Sequence, residues 1–390
     1  MGAASPEAVR QPADGLQARG VGTPRAQLAL TCSLRGARSR RGAPQEPSAC
    51  DANWAGNVKR GISTEELGLV LAHYDVGSLA SSPQSGGGTA NANLKITAAS
   101  GTYFLKRRNP KYAQESFVAF DHALMEHMAK YDVKTPLAVI TREGKRWLRL
   151  HENVHELFPY HDGGPHDRNS PIEIGAAGSA LAKYHRAARS FRAPPGKEWP
   201  RYDDPRLIRE GIEAIRADLS KRLSAEDMRY LVEDVARLER ELPDERYHGL
   251  PKLVVHGDYH PGNLKFLGGE VSGIFDLDWA TVQPRVRDLA DGIFLFAGQR
   301  ASDIDASDIS SLTQTWQPSV ERERVFMDSY LASETLSGEE LRALPLFVRA
   351  RWLYCRVAGM VKVVPERRVE YFLAGLLEPL RILDGTGRLF

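Results

Sequence analysis

Eight consecutive residues, His256-Gly257-Asp258-Tyr259-His260-Pro261-Gly262-Asn263, bring together an acid, two imidazoles and a carboxamide. They follow an apolar run, Leu253-Val254-Val255, that predicts a buried strand, and Pro261-Gly262 keeps the segment a loop. A carboxylate such as Asp258 can orient a hydroxyl and take its proton, and the carbonyl oxygen of Asn263 is a hard ligand suited to Mg²⁺. Phosphoryl transfer asks a protein for this kind of positioning and charge stabilisation, and for little covalent chemistry. His256 is expected to brace the loop. His260 is left as a bystander lining the acceptor side.

The next element strengthens this reading. Leu264–Leu267 and Glu270–Phe275 flank Gly268-Gly269, which predicts a hairpin that carries the chain back to the same place. It delivers Asp276-Leu277-Asp278-Trp279 directly after the apolar pair Ile274-Phe275. An ionised acid at the end of a buried strand is costly unless it is paired or binds a metal. Asp276 is therefore the candidate for the main Mg²⁺ carboxylate, and Asp278 either assists or shapes the turn. The spacing His-x-Asp-x-x-x-x-Asn is also that of the protein-kinase catalytic loop.

A phosphate donor needs a cation. Lys106 ends the strand candidate Thr102–Arg107 and can point into a cleft, although it is one of three basic residues in a row with Arg107 and Arg108. Such a lysine is commonly held by an acid from a neighbouring helix. Phe117, Phe120, Leu124 and Met128 mark one apolar stripe of that helix; Asp121 falls at its edge and Glu115 on the opposite face, so Asp121 is the expected partner. Gly86-Gly87-Gly88 could let backbone N–H groups approach phosphates. No Walker sequence is present, which argues against a P-loop enzyme.

These residues need a scaffold, and the patterning supplies one. Ser63-Thr64-Glu65-Glu66 reads as a capping box opening a short helix. Ala92–Ala98 and Thr102–Arg107 predict one hairpin, and Leu137–Thr141 with Lys145–Leu150 a second. After about Tyr160 the chain turns helical: 172–188, 205–219, 225–242, 321–333, 338–364 and 366–383 all read as helices or helix pairs. The expected fold is α+β and bilobal, with a β-rich N-terminal nucleotide-binding lobe over 63–157 and a mainly helical catalytic and substrate lobe over 158–390.

The 390 residues are 42% hydrophobic with a net charge of +2, which gives no reason to expect nucleic acid or a membrane surface as partner. Cys32, Cys50 and Cys355 lie far apart and form no metal-ligand spacing, which suits free thiols in a reducing, cytoplasmic setting. Residues 1–62 are expected to be a disordered tail: up to Gln45 they hold seven arginines and no lysine, and the first aromatic residue is Trp54. An Arg-rich, acid-poor start also fits an organelle transit peptide.

Taken together, the chain resembles the aminoglycoside phosphotransferase/choline kinase family of the protein-kinase-like fold, nearest to its type II homoserine kinase branch, over roughly residues 64–300. Leu71–Gly77 is similar to that family's opening turn, Gly88-Thr89-Ala90-Asn91-Ala92-Asn93 to its nucleotide loop and Tyr103–Lys106 to its lysine strand. His155–Gly163, with Phe158 and Tyr160, resembles the hinge whose backbone reads adenine, and Leu181–His185 and Asp288-Leu289-Ala290 resemble structural signatures. The resemblance implies ATP and Mg²⁺ as cofactors, Asp258 as catalytic base, Asn263 and Asp276 as metal ligands, and Lys106, Gly87, Gly88 and Asn91 around the nucleotide. Asp121 departs from the family's usual glutamate.

Two other classes fit part of the pattern. His256, Asp258 and His260 could hold Zn²⁺ in a metal-dependent hydrolase, but no second His-rich segment joins them. A binding-only pseudokinase would keep the fold without turnover. For a kinase, the acceptor would be a small hydroxyl compound: an amino-acid-like alcohol, an amino sugar or a choline-like molecule. Arg349, Arg351 and Lys362 favour one that carries a carboxylate.

Overall fold

The computed structural model describes residues 61–86, 90–201, 203–303, 308–313 and 316–385. All but the last two residues of the expected tail, together with Cys32, Cys50, Gly87 and Gly88, lie outside them.

Helix α1 (Thr64–Leu71) opens on Ser63, whose hydroxyl accepts the N–H of Glu66 at 3.0 Å. Glu66 does not complete the expected reciprocal box; its carboxylate takes Arg107 at 2.7 Å and His155 at 2.8 Å, which ties the helix to the sheet behind it. That sheet has five antiparallel strands in the order β1-β2-β3-β5-β4, from β1 (Gln84–Ser85), β2 (Ala92–Ala98), β3 (Gly101–Arg107), β4 (Leu148–Leu150) and β5 (Asn153–Pro159). The first hairpin forms as the alternation requires, with Ala98 opposite Gly101.

The second hairpin differs from expectation. Only β4 is a strand, and its partner is β5 rather than 137–141. β4 occupies the start of that β5 edge, so the earlier segment adds a single bond further along, from Val139 N–H to Leu157 O at 2.6 Å. Helix α2 (Glu115–Lys130) lies against the sheet and buries Phe117, Phe120, Leu124 and Met128, the expected stripe.

The helical lobe is built on α3 (Pro171–Ala188), with α4 (Pro205–Ala214) and α5 (Ala225–Glu241) following it. Strand β6 (Lys252–Val255), hairpin β7–β8 (Leu264–Leu267, Glu270–Ile274) and β9 (Thr281–Pro284) form the insert that carries the site. Helix α6 (Val286–Gly292), its wider continuation Ile293–Ala297, α7 (Val320–Leu331), α8 (Gly338–Met360), α9 (Arg368–Leu373) and the last helix, α10 (Leu377–Gly385), follow in the lobe. Every residue of 286–297 is buried. A segment covered on all sides has no polar face to set a period, which is why no helix was expected there. α3 and α7 pack closely at Gly178, where a Cβ would come within 2.2 Å of the Phe326 carbonyl oxygen. Among the described residues no helix is long and apolar enough to cross a membrane.

Glu323 on α7 is fully buried, and among the described residues no side chain donates to its carboxylate. Burial pushes its carboxyl from the ordinary 4.5 to about 7, against the smaller opposing effect of a backbone hydrogen bond. The native state therefore holds a proton that the unfolded chain releases, and stability falls as pH rises from about 4.5 to about 7. Glu323→Gln should unfold like the wild type at pH 4.5 and be more stable at pH 8, by on the order of 3 kcal/mol. Thermal melts at the two pH values check this, and an equal shift at both would contradict it.

Candidate active site

The catalytic-loop candidate hangs between β6 and β9, which pair with Val255 opposite Thr281. Asp288, at the start of α6, accepts the N–H groups of His256 (2.7 Å) and Gly257 (2.9 Å) and lies 3.1 Å from His185 Nε2 on α3. The two signatures singled out in the sequence thus meet beneath the loop. Gly257 has φ +79°, and a Cβ there would sit 2.4 Å from the Trp279 carbonyl oxygen, so both conformation and space call for glycine. His256 Nε2 donates to Phe275 O at 2.9 Å and its Nδ1 accepts the Asp258 N–H at 3.3 Å. The ring bridges the loop to the end of the hairpin, and burial holds its pKa below the ordinary value.

Asn263 Nδ2 donates to the Asp258 backbone carbonyl at 2.9 Å and comes within 3.4 Å of its Oδ2. That use of the nitrogen turns the amide oxygen to the other side. His260 Nε2 lies 3.4 Å from Asp258 Oδ2, and Arg351 Nη2 3.9 Å from Oδ1. Burial raises the Asp258 pKa, but His260, Arg351 and His256 outweigh it and hold the group well below the carboxylate range. His260 is raised in turn: Asp258 overcomes the opposing effect of burial.

The hairpin returns as expected. Asp276 follows β8 with φ 62° and ψ 71°, a left-handed conformation that a non-glycine residue holds only under constraint. Lys106 Nζ donates to Asp276 Oδ1 at 3.0 Å and to Asp278 Oδ1 at 2.8 Å. Asp278 also accepts from Asn91 Nδ2 at 2.8 Å, while Asn91 Oδ1 accepts the Asn109 N–H at 2.8 Å. Asp278 therefore ties the nucleotide loop, the lysine strand and the metal-acid candidate together. Burial and then Asp278 push the Asp276 carboxyl up to about 6, with Lys106 opposing.

The expected pairing of Lys106 with Asp121 is replaced by another arrangement. Arg108 stands two residues on from Lys106, on the same face, and reaches the acids first. Its Nε and Nη2 form a fork on Glu156, both at 2.7 Å, and its Nη1 meets Asp121 Oδ2 at 2.6 Å. Glu156 sits directly opposite Lys106 in the β3–β5 register, yet Arg108 and His122 (2.8 Å) occupy it. The other Asp121 oxygen binds Lys197, which also donates to Leu277 O at 2.9 Å. Glu115 is exposed, so the choice of helix face was sound and the choice of partner was not. Lys197 and Trp199, whose indole N–H donates to Asp278 O at 2.9 Å, come from a loop without periodicity that sequence reasoning passed over. Arg108 had a usable signal, the period of two from Lys106.

Three buried cations (Lys106, Arg108, Lys197) thus face four carboxylates (Glu156, Asp121, Asp276, Asp278). The surplus of negative charge, the raised Asp276 and the available oxygen of Asn263 make a donor set that fits a hard divalent cation. Phe158 lies opposite Phe104 and packs against the helical-lobe core, and Lys95 stands 4.1 Å above the Tyr160 ring. Arg349 is not at the site: it is buried on Asp234 and Asp384. Arg351 is at the site and is bound to Asp291 at 2.6 Å. The zinc-hydrolase alternative finds no support: both ring nitrogens of His256 are taken, by the Phe275 carbonyl and the Asp258 N–H, which leaves none for a metal.

The model of the phosphotransferase enzyme family matches residues 83–319. This chain belongs to that family. Its relatives include a homoserine kinase of Chelativorans sp. (strain BNC1), 30% identical over 74% of this chain and 82% of that protein. Another, the homoserine kinase of Parvibaculum lavamentivorans, is 28% identical over 79% of this chain and 90% of its own length. The fold is shared with a microcompartment-associated aminopropanol kinase (TM-score 0.60, 18% identity, 84% of this chain and 100% of that one). It is shared as well with choline kinase from Cryptosporidium parvum Iowa II (TM-score 0.57, 12% identity, 83% and 97%). The protein is a phosphotransferase, and its fold is the bilobal α+β one expected.

Arg108→Met would leave Glu156 in the interior with His122 and Asp121 with Lys197, each without the guanidinium between them. It should destabilise the phosphotransferase by about 3–5 kcal/mol in urea unfolding, whereas Glu115→Ala should stay within roughly 0.5 kcal/mol. A mild loss at Arg108 would show that the network is solvated.

Proposed function

We propose that this phosphotransferase moves the γ-phosphoryl group of ATP, with Mg²⁺, onto the hydroxyl of a small amino-acid-like alcohol. The observation that carries the reading is the convergence of Lys106 on Asp276 beside the loop that presents Asp258. Asp276 and the Asn263 amide oxygen would hold the metal, which when bound would neutralise charge on the phosphates. Lys106 would exchange its two carboxylates for phosphate oxygens, guided by Asn91 and the Gly87-Gly88 segment, with Phe158 and Tyr160 at the adenine end. Asp121 belongs to the support beneath Lys106 and does not contact nucleotide in this reading. His256 braces the loop and His260 stands between Asp258 and the acceptor.

The low pKa of Asp258 supports an orienting role. A carboxylate held that far down is a weak proton acceptor, so it chiefly orients the hydroxyl until the phosphoryl group is nearly transferred. Arg351 and Lys362 favour an acceptor with a carboxylate. Lys362 is held below its ordinary pKa by burial, with Asp258 opposing, which supports a cation within electrostatic reach of Asp258. Cations around Asp258 repel amino sugars and choline-like molecules, and the relatives named homoserine kinase agree with that preference.

Asp258→Asn should abolish acceptor-dependent ADP formation, by about 10³-fold or more, while ATP still binds. Lys106→Met should raise the KM for ATP. A screen of hydroxyl compounds by coupled ADP release measures both. Full turnover by Asp258→Asn would sink the assignment, and so would the absence of acceptor-dependent ADP formation by the wild type across the panel.

A further inference from the structure

A cavity of about 120 Å³ opens against Pro261 and Gly262, the two residues after His260 in the catalytic loop. Its wall includes Phe296 and three arginines, Arg168, Arg300 and Arg322. Arg322 spends its N–H groups on the carbonyls of Ala297 (2.9 Å), Arg168 (2.7 Å) and Phe296 (3.0 Å). Carbonyls satisfy its hydrogen bonds and leave its charge in place. Arg300 packs its guanidinium 4.7 Å from the Phe294 ring centre. Among the described lining residues the single acid is Asp303, 3.5 Å from Arg168, and its side chain is 78% exposed, so water screens it.

The charges oppose one another. Burial and then Arg168 hold Arg322 below its ordinary pKa. Burial brings Arg300 down to about 10, and Arg351 adds to the effect while Cys355 opposes it. Like charges gathered at low dielectric cost free energy that a bound anion would return, and guanidinium forks match the two oxygens of a carboxylate or the face of a phosphate. The volume suits one such group and is far below that of a nucleotide.

Position relates the cavity to the reaction. Gly262, on its wall, donates its N–H to His260 Nδ1 at 3.0 Å, and the other face of that ring system meets Asp258. Arg351, which Arg300 senses, stands 3.9 Å from Asp258. We propose that Arg168, Arg300 and Arg322 form an anion subsite that holds a second acidic group of the acceptor, at the end remote from the hydroxyl. The inference rests on the assignment of Asp258 to the acceptor, and it narrows the substrate to alcohols with an acidic tail.

The test is a calorimetric titration of the full-length chain, saturated with ADP so that the nucleotide-phosphate contacts are filled, with succinate and in parallel with inorganic phosphate. One saturable anion per chain is expected, weakened roughly tenfold or more by Arg300→Gln, in line with the loss of a charge-assisted bond. Asp258→Asn should not weaken it. Should Arg300→Gln fail to fold, Arg168→Gln at the partly exposed rim gives the same reading. Binding of neither anion, or equal binding by wild type and both variants, overturns the subsite. Kinetically, Arg168→Gln should raise KM for hydroxylated dicarboxylates and leave kcat and the KM for a hydroxylated monocarboxylate such as 4-hydroxybutyrate unchanged; a uniform change would make the arginines merely structural. If no alcohol is phosphorylated at all, phosphoryl transfer fails, and the calorimetry still decides the subsite.

Discussion

One carboxylate holds the site together. Asp278 receives Asn91 from the nucleotide loop and Lys106 from the lysine strand, stands 3.5 Å from Arg108, and offers its backbone oxygen to Trp199. Three separate parts of the chain, the Asn91 loop, the end of β3 and the Trp199 loop, are fixed to this one residue. The surrounding ions make that placement stable. A buried carboxylate alone would be neutralised by protonation, whereas Lys106 and Arg108 keep Asp278 ionised, near 2, against the pull of burial. Asp276, two residues away and relieved only by Lys106, moves the opposite way. Neighbouring acids thereby stand in opposite states: one is held ionised, the other is pushed toward protonation.

The convergence of the candidate residues is legible where it depends on residue type and local spacing. Asp258, Asn263 and Asp276 come from one loop and one hairpin, and their convergence follows from a strand, a loop and a two-residue turn. The stripe on α2 was readable for the same reason. What the sequence concealed is the competition among like groups. Lys106 and Arg108 share a face, and which one takes Asp121 depends on the opposing position of Glu156 across the β3–β5 register, a pairing that spans about fifty residues. Lys197 lies in a stretch with no period at all. The helix at 286–297 was hidden by complete burial, and the second hairpin was overread because alternation alone does not say which edge is already taken.

Electrostatics separate the two ends of the site. Around Lys106 acids outnumber cations. Around Asp258 stand Arg351, Lys362 and His260, with Asp291 on Arg351. Arg349, equally basic in sequence, holds α5 to the last helix through Asp234 and Asp384. Composition could not tell these arginines apart, because the distinction lies in which acid each one meets: Asp291 beside Asp258, or Asp234 and Asp384 away from it.

The loop that carries Lys197 reaches from the helical lobe to Asp121 on α2 and to Leu277 beside the metal acids. Ser116 adds a bond from the same helix to Gly196. The strap adds to the passage of the chain after β5 and to the bonds of Asn91 and Lys106 with Asp278, so the N-terminal sheet, α2 and the helical lobe are tied at several places around one cluster. The ties are redundant: losing any one of them leaves the others to hold the same acids in place.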